Sequence, residues 1–318
     1  MTELPDRLLL RLEWRVIRRL DGLLHGAFRT VRRGSGMDFA GLRAYAEDDE
    51  ARHIDWNATA RLGEVQLRQF TEDREITVWL VLDRSGSMSV GAPERRKEDV
   101  LDELALALAR LFGRGGNRVG AVVHEGGSTR IVPPATGRAQ ALRIASRGLA
   151  GEPRARGAGT PAKRPNARRT RRGDAARVDP AAATDLAALI DAAGNAARRR
   201  ALVIVVSDFI GTGDWPAALA RLAQRHEVVA LRPVDAADEE LPEAGLVLVE
   251  DAETGEQLLV DSGDPLFRSR LRGRVEEREA AFAAGTRRAR VPAHRIGTGD
   301  DLAEALVRVV ASTRWRRA

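Results

Sequence analysis

The chain of 318 residues contains no cysteine. That removes disulfides, thiol nucleophiles and thiolate metal sites, and it fits a reducing compartment. Aromatic residues are scarce at 4%, too few for the stacking platforms that hold single-stranded nucleic acid. Long apolar runs are lacking as well. The longest, Ile76–Leu82 and Ala201–Val206, fall far short of the ~18 residues that cross a bilayer. Leu8–Leu10 is followed at once by Arg11 with no small-residue cleavage site, so no signal peptide is expected. Catalytic fingerprints are missing too. No G-x-x-x-x-G-K-[ST] is present to cradle ATP, and "GSMSVG" does not fit the G-x-S-x-G nucleophile elbow. The five histidines (His25, His53, His124, His226, His294) have no metal-ligand spacing. "RHIDW" puts His53 near Asp55, a pairing that reads as a structural contact before a base and its orienter.

What is present begins with charge. The formal net charge is +6, and residues 151–180 alone hold nine Arg or Lys against Glu152, Asp174 and Asp179. The remainder of the chain is therefore formally neutral, without the basic folded face a nucleic-acid domain needs. Val178 is the only apolar side chain of that segment larger than alanine or proline, so 151–180 reads as a disordered surface loop. An electrostatic arm for an acidic partner, a nucleic acid or a membrane surface is its functional alternative. Deleting 153–177 is expected to leave stability nearly unchanged, because loop length enters closure entropy only logarithmically. Near the N-terminus, Leu9, Leu12, Val16, Leu20 and Leu23 recur at helical spacing between Arg11, Arg15, Arg18 and Arg19. This amphipathic helix packs on the parent domain or lies on a membrane surface.

Residues 1–72 thus read as a helical and loop extension whose polar stretch ends in a hairpin or short strand near Val65–Phe70. From Ile76 the pattern turns to strand, helix, strand. Ile76–Leu82 is a strand buried on both faces. A helix follows with Pro93 near its start and Val100, Leu104, Leu108 and Leu111 as its ridge. "RVGAVVH" and "STRIVP" pair, Arg138–Leu149 is a helix, and Thr184–Arg198 is another. "ALVIVV" and "EVVALRPV" are further buried strands around a helix at Trp215–Arg225. "LVLVE" and "QLLVD" flank Thr254 and Gly255 as a hairpin. Helices near Asp264–Ala284 and Asp300–Thr313 bracket a short strand at His294–Ile296. Residues 73–318 are therefore expected to form a doubly wound, mostly parallel α/β sheet.

In such sheets ligands sit beyond the carboxyl ends of strands, and polar groups cluster there. Asp83, Ser85 and Ser87 form D-x-S-x-S straight after one buried strand; Asp208 ends "VIVVSD" after another; Thr184 opens the helix between them. Five converging oxygen side chains, two of them carboxylates, suit a hard divalent cation such as Mg²⁺, with Mn²⁺ as a substitute. Neutral hydroxyls beside only two carboxylates would leave that cation ready for a further carboxylate from outside. Each residue also has a plainer reading. Serines after a strand and Thr184 are good helix N-caps, and Asp208 could cap the turn before Trp215.

"VWLVLDRSGSM", "TDLAALI" and "VIVVSDF" resemble the three segments of a von Willebrand factor A-type domain with its metal-ion-dependent adhesion site. "GSGMDFAGLRAYAEDDEARHIDWNATARLGEVQLRQFTEDRE", running into the first strand, is similar to the bacterial DUF58 family. The resemblance spans about residues 30–235 apart from the basic loop, which is longer than the pattern needs. It implies a Rossmann-like fold in which Asp83, Ser85, Ser87, Thr184 and Asp208 hold Mg²⁺, some of them through water. It also implies an adaptor or cofactor role beside a MoxR-type AAA+ ATPase or its client, docked through an acidic side chain. Some relatives carry membrane spans before this region; their absence here implies a cytoplasmic form. The rival class is an enzyme. A strand-end aspartate with Mg²⁺ is also the plan of aspartyl phosphatases, but their D-x-D has serine here at position 85, so no enzymatic activity is expected.

Overall fold

The computed structural model describes residues 33–46, 49–71, 76–89, 91–92, 95–114, 116–149, 185–239, 244–250 and 257–312. The chain opens with β1 (Arg33–Ala44), a 3₁₀ turn at Ala51–His53, α1 (Trp56–Leu62) and β2 (Gln66–Thr71). Then come β3 (Thr77–Arg84), a 3₁₀ turn at Gly86–Ser89, the ribbon β4 (Gly91–Ala92) and β5 (Arg95–Arg96), and α2 (Lys97–Arg114). β6 (Arg118–Glu125), β7 (Ser128–Ala135) and α3 (Arg138–Arg143) follow, the last continuing as a π-helical turn over Ile144–Leu149. After residue 185 the chain alternates α4 (Leu186–Ala196), β8 (Leu202–Val206), α5 (Trp215–Arg225), β9 (Glu227–Val234) and a single turn, α6 (Ala236–Glu239). β10 (Leu246–Glu250), β11 (Gln257–Asp261), α7 (Pro265–Ala289), β12 (Ala293–Gly297) and α8 (Leu302–Ser312) complete it.

The central sheet has six strands in the order β12-β9-β8-β3-β6-β7, all parallel except the β6–β7 hairpin. Alternation along β3 feeds two separate cores, because successive side chains of a strand face opposite ways. Val78, Leu80 and Leu82 join α2 and α8 on one face; Trp79 and Val81 join α4, α5 and the end of α7 on the other. Helices on both faces explain why Val78–Leu82 and Leu202–Val206 are buried without a polar break. The mixed α/β architecture with a mostly parallel sheet matches the reading from sequence. Among the described residues no helix is long and apolar enough to cross a membrane.

Four local differences have physical causes. The stretch read as loop-like before Val65 holds β1, whose antiparallel pairing with β2 is interrupted by register shifts between Arg33 and Asp38 and between Phe39 and Gly41. Those irregularities hide the period-2 signal. It also holds α1, capped by Asp55, which accepts from Ala58 N at 3.0 Å, and closed by Gly63 at φ 74°. α2 starts at Lys97 rather than at Pro93. Asp99 accepts from Arg96 N at 2.8 Å, and the Arg95 guanidinium reaches the carbonyls of Thr298 and Asp300, both at 2.8 Å. α7 runs one turn past Ala284, to Ala289. The N-terminal helix, Pro93, the 151–180 segment, Thr184 and the Thr254–Gly255 turn lie outside the described residues.

Candidate metal centre

β3 and β8 are neighbours in register from Val78 opposite Leu202 to Leu82 opposite Val206. The chain leaves β3 for β6 on one side and returns on the other with β8, so the strand order reverses between them. A crevice opens beyond the carboxyl ends at such a switch point. Asp83 comes directly after Leu82, and Ser207 and Asp208 directly after Val206, so both carboxylates stand at its lip. Both are nonetheless buried, Asp83 at 0% and Asp208 at 2% exposure.

Their hydrogen bonds account for their positions. Asp83 Oδ1 accepts from Ser85 N at 3.1 Å, and its Oδ2 accepts from the Ser207 hydroxyl at 2.7 Å. Ser207 Oγ in turn accepts from Phe209 N at 2.9 Å, and Asp208 Oδ1 from Ile210 N at 3.1 Å. The tight turn sets Phe209 at φ 58°, a left-handed conformation costly for a bulky residue. Ring packing holds it there: the Phe209 centroid lies 5.1 Å from that of Trp215 and 4.9 Å from that of Phe282. Ser85 and Ser87 are buried, and a hydrogen bond of 3.0 Å joins their hydroxyls.

The plainer cap readings give way to other residues. α2 begins only at Lys97, so Ser85 and Ser87 do not cap it. The cap of α5 is Asp214, which accepts from Ala217 N at 3.1 Å, and the cap of α4 is Asp185, which accepts from Ala188 N at 2.9 Å. Asp185 also bridges in parallel to Thr212, four residues beyond Asp208, tying the start of α4 to the loop after β8. Gly213 makes this approach possible. Its φ is 86°, and a Cβ there would come within 2.6 Å of Asp185 Oδ1. Asp55, the other carboxylate considered for chemistry, serves as a cap and as the partner of Arg68 Nε at 2.9 Å. The Arg68 hydrogen bond, with Ala58 N behind it, holds its carboxyl below the usual range.

Burial first, then the nearby charge of Asp208, pushes the Asp83 carboxyl up to about 6, against the hydrogen bonds from Ser207 and Ser85. A cation between the two carboxylates would reverse that repulsion. The hydroxyl geometry also fits. Adjacent ligands of an octahedral Mg²⁺ with bonds of about 2.05 Å are separated by about 2.9 Å, close to the Ser85–Ser87 spacing. Among the described residues no group of three or more His, Cys, Asp or Glu is gathered for a metal. A cation here would therefore rest on two carboxylates and hydroxyls. Asp208 also lines a cavity of about 20 Å³ beside Arg232, Asp238 and Glu279, with space for about one water molecule.

Four contributors went unread in the sequence: Lys97, Ser207, Phe209 and Asp238. Lys97 is 1% exposed, and its Nζ lies 3.1 Å from Asp208 Oδ2 and 2.8 Å from Asp238 Oδ2. One signal could have marked it: the chain has only two lysines, Lys97 and Lys163, among 52 basic residues.

The described geometry can be set beside known proteins. The family model "Protein of unknown function DUF58" matches residues 41–281. An uncharacterised protein of Mycobacterium tuberculosis, Rv1480, is 35% identical over 304 residues, covering 95% of this chain and 88% of its own length. Its Mycobacterium bovis counterpart, Mb1516, matches to the same extent. Two solved structures are similar at lower levels. The conserved hypothetical protein BatB of Bacteroides thetaiotaomicron has a TM-score of 0.41 and 14% identity, covering 75% of this chain and all of that one. An aerotolerance-related membrane protein of Bacteroides fragilis has a TM-score of 0.44 and 15% identity, covering 74% of this chain and 96% of its own. On its sequence relatives and the family match, this chain belongs to the DUF58 family.

Proposed function

We propose that the chain is a Mg²⁺-dependent docking module of the von Willebrand factor A type, with Mn²⁺ able to substitute, and that it serves as an adaptor rather than an enzyme. The observation that carries this reading is the buried Asp83–Asp208 pair at the switch point, beside two hydroxyls spaced like neighbouring ligands of one octahedral ion. Asp83, Ser85, Ser87 and Asp208, with Thr184 as a fifth oxygen ligand, would hold the ion. Bound there, Mg²⁺ supplies a Lewis-acidic centre that accepts a carboxylate from a second protein. Ser207 and the Phe209 turn fix the direction of both aspartates. The partner is a MoxR-type AAA+ ATPase or its client, engaged through an acidic side chain in the cytoplasm.

The test is direct. The purified chain and the MoxR-type ATPase of the same organism should associate in Mg²⁺, separate on adding a chelator, and fail to associate when Ser87→Ala is combined with Asp208→Ala. Association that survives both the chelator and the double substitution would remove the cation from the account.

A further inference from the structure

The Lys97 ammonium is the least expected group in the crevice. It is the largest side chain among the fully buried residues, and it begins α2, so the helix start holds its backbone in place. Burying an ammonium is costly unless carboxylates surround it, and two do. Asp208 Oδ2 and Asp238 Oδ2 take it from two sides, at 3.1 Å and 2.8 Å. With Ile210 N on Oδ1, Asp208 thus has both its oxygens engaged, and Asp83 has both of its own engaged by Ser85 N and Ser207 Oγ. The two aspartates are satisfied without any ion from outside. Lysine is also the basic residue that most resembles a metal ion: a compact point charge, where arginine is a broad planar fork. A chain that uses arginine at 50 of its 52 basic positions has lysine here.

We propose that Lys97 is a resident counter-cation that competes with the divalent ion for Asp208 and so sets the affinity of the crevice. This rests on the docking reading above. The ammonium neutralises Asp208 while no divalent ion is bound. When one enters, it must share Asp208 with a positive charge a few ångströms away, which weakens its hold. Asp238 provides the second anchor toward which the ammonium shifts. A merely structural ion pair would stabilise the fold equally with and without metal and leave cation affinity untouched.

The experiment compares Mn²⁺ binding by titration calorimetry in the full-length wild type, Lys97→Met and Lys97→Gln, with melting temperatures in chelator and in Mn²⁺. The variants should bind Mn²⁺ at least tenfold more tightly than wild type. They should melt below wild type in chelator, because Asp208 and Asp238 lose their counter-charge, and Mn²⁺ should close most of that gap. The tight binding should vanish when Asp83→Ala is added. Folded variants that bind no more tightly than wild type overturn the proposal while leaving the docking reading intact. If neither wild type nor variants bind Mn²⁺, both fall. A variant unfolded in chelator that folds when Mn²⁺ is added supports the proposal, and one unfolded in both conditions counts against it.

Discussion

Asp83 shows at the scale of one residue how the crevice trades stability for charge. Its carboxyl titrates near 6 in the folded chain, against 3.8 ordinarily. The folded state therefore holds this proton more tightly than the unfolded state does. The stability it contributes is complete below pH ~4 and is lost as pH rises through 6. Above that, the buried carboxylate costs about 3 kcal/mol, at 1.36 kcal/mol per unit. The proposed divalent cation would offset the cost. In chelator, Asp83→Asn should therefore be more stable than wild type by about 1–3 kcal/mol at pH 7.5, with the difference shrinking toward pH 4.5. Urea unfolding at the two pH values measures this. A variant less stable than wild type at both would contradict the assigned cause. The placement of Asp83, Ser85, Ser87 and Asp208 past the ends of buried strands could be read from sequence, because the apolar runs before them end abruptly. The pairing of Lys97 with Asp208 could not, because Asp208, just past the end of β8, lies 111 residues away and only the folded sheet brings the two together. Ser207 was in view beside Asp208, yet nothing local tells which of two adjacent polar residues bonds across to Asp83.

Among the elements, the buried strands and the helices with apolar ridges were legible, since composition and period agree on them. The edges were less so. α1 carries both its boundary signals, Asp55 at the start and Gly63 at the end, but none of its residues is buried, so no apolar stripe announces it. β1 breaks register twice against β2. α7 is exposed for most of its length, and only its last turns, around Phe282, Gly285, Thr286 and Ala289, are buried. This is where it packs on α5. A Cβ added at Gly285 would come within 2.5 Å of Trp215 Cη2 and 3.1 Å of Pro216 Cγ. Gly285→Ala gains helix propensity but overpacks this contact, so it should destabilise the chain by about 1–3 kcal/mol. Because Trp215, Phe282 and Phe209 form one aromatic cluster, the displaced indole also disturbs the turn that aims Asp208. Chemical denaturation of the variant tests this, and unchanged stability would mean that α7 shifts away freely.

For the whole molecule, two cores on opposite faces of one sheet make a rigid platform whose carboxyl edge gathers the polar groups. The doubly wound plan followed from the alternation of buried strands and amphipathic helices, but strand order did not. The β6–β7 hairpin was legible, since only Gly126 and Gly127 separate its strands, but the crossing from β6 to β8 depends on packing between segments far apart in sequence. The account stands on that order, because it makes β3 and β8 neighbours. On the proposed reading, the lip between them takes one divalent cation. Titration calorimetry of Mn²⁺ and Mg²⁺ into the whole chain, beside Asp83→Ala shown to be folded by circular dichroism, tests that claim most directly. The account predicts binding at a single site in the wild type, with none in the variant. Equal binding by both chains, or a wild type that takes up neither ion, would contradict it.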